Sequence, residues 1–105
     1  MSEIFRDVFG NAVELTEERW QHILLHHPVM ERYRARIAEV LMGPSVVQQC
    51  DFNPREFRYY RRYDDLRNAS YLFVSVIKED ERYFIITAFP IRKIREGGTL
   101  IWLKI

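Results

Sequence analysis

The chain has 105 residues, a length that fits one domain (residues 1–105) around a single modest core. With 48% apolar and 30% charged residues it reads as globular rather than disordered, and its apolar runs near Tyr71–Ile77 and Phe84–Ile86 are too short to cross a bilayer. A net charge of +1 excludes the broad field of a histone-like binder. The single Cys50 forms no internal disulfide and no signal pattern opens the chain, so a cytoplasmic location is expected.

In chain order, Ile4–Val8 alternates as a strand, Gly10-Asn11 marks a turn, and Ala12–Leu15 reads as the returning strand of a hairpin. Thr16 suits a helix N-cap, and Glu17 and Glu18 follow where the helix dipole favours negative charge. The first helix is expected from Glu17 to about His27, because Pro28 disfavours helical backbone in the residue before it. A second helix, Val29–Met42, carries Tyr33, Ile37, Val40 and Leu41 at helical spacing and presents Arg32, Arg34, Arg36 and Glu39 on its other faces. Gly43-Pro44 stops it.

Strands are then expected at Val46–Phe52, Glu56–Tyr63, Tyr71–Lys78, Arg82–Phe89 and Thr99–Lys104. Asn53-Pro54, Asp64–Asn68, Glu79–Glu81 and Gly97-Gly98 read as the turns between them. The pattern predicts an α+β fold: an N-terminal hairpin and two helices packed on one face of a four- to five-stranded antiparallel sheet.

All three histidines fall within six positions, His22, His26 and His27. At 100° per residue, Trp20, Ile23, Leu24 and His27 form one stripe, which puts His27 at the edge of the core. His22 and His26 share a second, polar face beside Arg19. Histidines at i and i+4 can both reach one metal ion, but the usual third ligand is missing. Cys50 and Asp51 are the only sequence-level candidates, so neither a metal nor another cofactor is expected. Two readings stay open: helix closure by His27 with solvated neighbours, and acid–base chemistry near neutral pH.

Thirteen of the 16 basic residues are arginine, whose planar donor fork suits phosphates and stacking. The stretch Arg55-Glu56-Phe57-Arg58-Tyr59-Tyr60-Arg61-Arg62-Tyr63 concentrates them among aromatics. In a strand, Arg55, Phe57, Tyr59, Arg61 and Tyr63 take one face, and Glu56, Arg58, Tyr60 and Arg62 the other. Neither face is purely apolar. Such a strand fits an RNA-facing surface, and equally an edge strand protected by charge. Thr87 and Ser75 are hydroxyls within apolar strands, where packing is the ordinary role, and Trp102 reads as core.

Asp7-Val8-Phe9-Gly10, Val13-Glu14-Leu15-Thr16-Glu17-Glu18-Arg19-Trp20, His22-Ile23 and His27-Pro28 together resemble the N-terminal half of the barnase/EndoU/colicin/RelE-like (BECR) nucleases. The nearest branch is the small nuclease-like domains associated with phages and mobile elements. Arg58-Tyr59-Tyr60-Arg61, the strand ending near Thr87-Ala88 and the final strand with Trp102 follow in the same order, so the resemblance covers nearly the whole chain.

The resemblance implies RNA cleavage on the sheet's concave face by metal-independent attack of a ribose 2′-OH on the adjacent phosphate. It implies a catalytic set of His22, His27, Arg58, Arg61, Tyr60 and Thr87, with His22 ranked first. Arg19, His26, Tyr59 and Arg62 are expected to contact RNA. Partners would be RNA and, for a toxin or mobile-element effector, a cognate inhibitor or antitoxin protein, with no membrane. Ideal helix geometry instead pairs His22 with His26, since His27 lies about 140° from His22 on the wheel. A distorted last turn before Pro28 would reconcile the two. The alternatives are a non-catalytic RNA- or protein-binding module on the same fold, and an assembly protein descended from it.

Overall fold

The structure is a computed structural model that describes residues 2–105. The hairpin forms as expected: β1 (Ser2–Arg6) pairs antiparallel with β2 (Ala12–Thr16). Its loop is organised by the buried Asp7. One carboxylate oxygen accepts from the backbone N–H groups of Phe9 (3.0 Å) and Asn11 (2.7 Å). The other accepts from Asn11 Nδ2 at 3.2 Å and Tyr59 Oη at 2.5 Å. Gly10 takes φ +87°, a backbone state that favours glycine.

Helix α1 (Glu17–His26) begins where Thr16 Oγ1 accepts from the Arg19 N–H at 3.1 Å, and it buries Trp20 and Ile23. The predicted second helix is not continuous. Pro28–Tyr33 is a 3-10 helix, followed by a turn at Arg34-Ala35 and then α2 (Arg36–Met42). The first of these segments has three residues per turn, which brings Met30 and Tyr33 to the same side, and both are buried. In α2 the four-residue repeat resumes and buries Ile37, Val40 and Leu41.

Strands β3 (Val46–Cys50), β4 (Glu56–Arg62), β5 (Tyr71–Glu79), β6 (Arg82–Ile91) and β7 (Gly98–Leu103) follow. Among the described residues there are seven strands in one sheet, in the order β1-β2-β6-β5-β4-β3-β7. The expectation of four to five antiparallel strands is corrected on both counts. The hairpin does not sit apart from the sheet: β2 adds to β6 and carries β1 with it. That junction is parallel, so the sheet is mixed. It is short, limited to Val13↔Tyr83 and Glu14↔Phe84, and Arg82 reinforces it with an ion pair to Glu14 at 2.7 Å.

The helices do lie on one face, against Val13, Leu15, Tyr59, Leu72, Val74, Val76, Ile85 and Ala88. A register shift between Ser75 and Val76 pairs Ser75 with Thr87 and Val76 with Ile85, leaving Ile86 as the extra residue of a bulge. The bulge lets Ile85 and Ala88 both point to the helices, while Thr87 and Phe89 point to the other side.

The segment joining β6 to β7 determines what becomes of that other side. Ile91 pairs with Tyr71 at one end of the sheet, whereas Gly98 pairs with Cys50 at the opposite end and beyond β4. Residues 92–97 therefore cross the helix-free face diagonally. This explains why Tyr60, Phe73, Gln48 and Arg58 are buried with no helix above them.

Candidate active site

The strand registers build two cross-strand rows on the helix-free face. Tyr60, Phe73 and Phe89 form one row, and Arg58, Ser75 and Thr87 the next. Phe73 lies 5.1 Å, centroid to centroid, from both Tyr60 and Phe89. His27 extends the first row: its imidazole stacks on Phe89 at 4.4 Å and 23°. Thr87 is two residues from Phe89 on the same face, about 7 Å along the strand.

His27 reaches this position because α1 ends one residue earlier. Its N–H still donates to the Ile23 carbonyl at 2.7 Å, but φ −137° and ψ 70° leave the helical region ahead of Pro28. The last turn is distorted, but it carries the ring to Phe89 of the sheet rather than round to His22, which stays beside His26. Partial burial, then the neighbouring His26 and His22 charges, hold its pKa below the ordinary histidine value.

His22 and His26 stay on the exposed side of α1, with rings 4.4 Å apart. His26 Nδ1 lies 3.1 Å from the His22 carbonyl oxygen. Among the described residues, no three His, Cys, Asp or Glu side chains stand together as a metal site needs.

Arg58 and Tyr60 share the candidate face, but both are buried, and the Tyr60 phenol and the two terminal nitrogens of Arg58 are engaged. Arg58 Nη1 donates to the Glu96 carbonyl at 3.0 Å, and Nη2 donates to Cys50 Sγ at 3.3 Å. Its Nε lies 3.5 Å from Glu56 Oε2 and makes no hydrogen bond, while that oxygen accepts from Ser75 Oγ at 3.1 Å. Tyr60 Oη donates to Gln48 Oε1 at 2.9 Å and accepts from the Arg95 N–H at 3.2 Å. Burial raises the Tyr60 pKa, so the phenol stays protonated. Arg62 is exposed on the same side of β4, 3.7 Å from Asp64.

Two sequence-selected residues point the other way. Tyr59 is buried in the core, and its phenol is pushed far above the ordinary value by burial and by the bond to Asp7. Arg61 Nη1 donates to the Gly43 carbonyl at 2.7 Å and closes the end of α2. Neither shares a face with Arg58 and Tyr60. Arg19 lies half-buried at the start of α1. It borders a cleft of about 220 Å³ with Glu14, Thr16, Ile77, Glu79 and Phe84.

The sequence reading missed Phe73, Phe89, Gln48 and Arg95. The two phenylalanines look like ordinary core in a strand. Arg95 lay in Arg92-Lys93-Ile94-Arg95, a basic run beside Gly97-Gly98 whose charge was the available signal. Its guanidinium carbon is 5.7 Å from the Phe73 ring centroid.

The sequence model of a family described as phage-Barnase-EndoU-ColicinE5/D-RelE like nuclease 2 matches residues 2–102. Comparison with curated proteins and with solved structures gives no match. The match runs from the first hairpin through α1 and its His27-Pro28 end to Trp102 of β7, and the chain belongs to this family of phage-related, nuclease-like domains.

Proposed function

We propose that the chain is a ribonuclease that cleaves RNA without a metal, on the face that carries His27, Phe89 and Thr87. The observation that carries this reading is the placement of His27. It alone of the three histidines leaves the helix surface and lies against the sheet, in a setting that favours the neutral imidazole. A neutral imidazole near pH 7 is a competent base.

His27 takes the proton of a ribose 2′-OH, and the 2′-oxygen bonds to the adjacent phosphorus. The bond from phosphorus to the 5′-oxygen breaks, and solvent protonates the leaving oxygen. Thr87 supplies a hydroxyl donor beside the reacting phosphate, and Phe89 a ring on which a base stacks. Arg58 and Tyr60 contribute by building the face, since both are buried and the Arg58 terminal nitrogens and the Tyr60 hydroxyl are already engaged. His22 and His26 lie outside the reacting centre.

In a phage-related setting such an enzyme fits a toxin or mobile-element effector that acts on cytoplasmic RNA and is held in check by a cognate inhibitor. Purified protein in EDTA should cleave single-stranded RNA and leave 2′,3′-cyclic phosphate ends, while the matching DNA stays intact. No cleavage across RNAs of varied sequence, or equal cleavage of DNA, would rule the mechanism out. Burial of Arg58 and Tyr60 favours a second reading, a non-catalytic RNA-binding module. That reading predicts RNA binding that survives His27→Ala and no cleavage by any variant.

A further inference from the structure

Arg95 sits in the segment that crosses the helix-free face, exposed to solvent, and among the described residues no acidic side chain pairs with it. Its backbone is held from both sides. The N–H donates to Tyr60 Oη at 3.2 Å, and the carbonyl accepts from Gln48 Nε2 at 3.0 Å. The next carbonyl, of Glu96, accepts from Arg58 Nη1 at 3.0 Å. Gly98 keeps the approach close: a Cβ there would come within 2.7 Å of Gln48 Cδ.

Tyr60, Gln48 and Arg58 are all buried, and burying polar side chains is costly unless each is bonded. Here their bonds go to the backbone of a surface segment. What they fix in place is a guanidinium over Phe73, the ring next to Phe89, on which His27 stacks. We infer that Arg95 is the phosphate anchor of the nucleic-acid strand. It grips the phosphate beside the reacting one, and Tyr60, Gln48 and Arg58 act as its positioning residues. This rests on the nuclease reading above and assigns it a cation that Arg58, buried and with both terminal nitrogens engaged, does not provide.

The test uses a fluorescent single-stranded 2′-O-methyl RNA, which binds but lacks the attacking hydroxyl, titrated over a series of NaCl concentrations. Arg95→Gln should weaken binding about tenfold. It should also flatten the slope of log Kd against log salt by about 0.7, the loss of one phosphate contact on a single strand. Arg32→Gln, on the helix side of the molecule, should match wild type.

Tyr60→Phe should weaken binding in the wild-type background and add nothing to Arg95→Gln, the mark of a residue acting through Arg95. Equal weakening in both backgrounds would overturn the positioning role. If Arg95→Gln keeps wild-type affinity and slope while His27→Ala still abolishes cleavage, the anchor is wrong and the nuclease reading stands. A wild-type protein that neither binds nor cleaves RNA overturns both.

Discussion

His27 bears on stability as well as on the proposed chemistry. Its pKa is lower in the folded chain than the ordinary 6.5, so the unfolded chain binds a proton more readily. Above pH 6.5 both states are neutral and the group has no effect; as pH falls through 6.5 toward the depressed value, stability is lost. His27→Gln should flatten that part of a denaturation-versus-pH curve, and an unchanged slope would show that other groups set it. Tyr59, once expected at the RNA, belongs to the core instead. Tyr59→Phe removes one of four bonds to the buried Asp7 carboxylate and should cost about 1.5–3 kcal/mol in denaturant unfolding. Strand alternation correctly separated Arg58 and Tyr60 from Tyr59 and Arg61. It does not say which face the helices cover, and that decided which pair reaches the candidate site.

At the scale of elements, the end of α1 matters most. The helical wheel placed His27 at the edge of the core, about 140° from His22, because a wheel assumes regular backbone up to the last residue. Pro28 breaks that assumption, and the break turns the ring onto Phe89. The same proline opens the 3-10 helix, where hydrophobic spacing alone suggested one helix over Val29–Met42. Pro28→Ala relaxes the restriction on His27 and should lower RNA cleavage at least about tenfold, as expected when a reacting group is misplaced by about an ångström. Unfolding curves of the same variant show whether the fold is kept. Full activity in a folded Pro28→Ala protein would mean that Phe89, not the proline, sets the ring.

At the scale of the whole molecule, local patterns identified nearly every element but not how distant ones join. The parallel contact of β2 with β6 spans two residue pairs and has no local signature. The diagonal path of residues 92–97 follows from β7 pairing with β3 rather than with β6, a choice made only when the sheet assembles. That path buries Arg58 and Tyr60, brings Arg95 to the face, and leaves His27, Phe89 and Thr87 half-buried. In the proposed mechanism cleavage depends on the histidine turned to the sheet, not on the pair left on the helix surface. Single-turnover RNA cleavage in EDTA compares wild type, His27→Ala and the double variant His22→Ala/His26→Ala. His27→Ala should lose at least about 100-fold and the double variant less than about tenfold. The reverse order would contradict that mechanism.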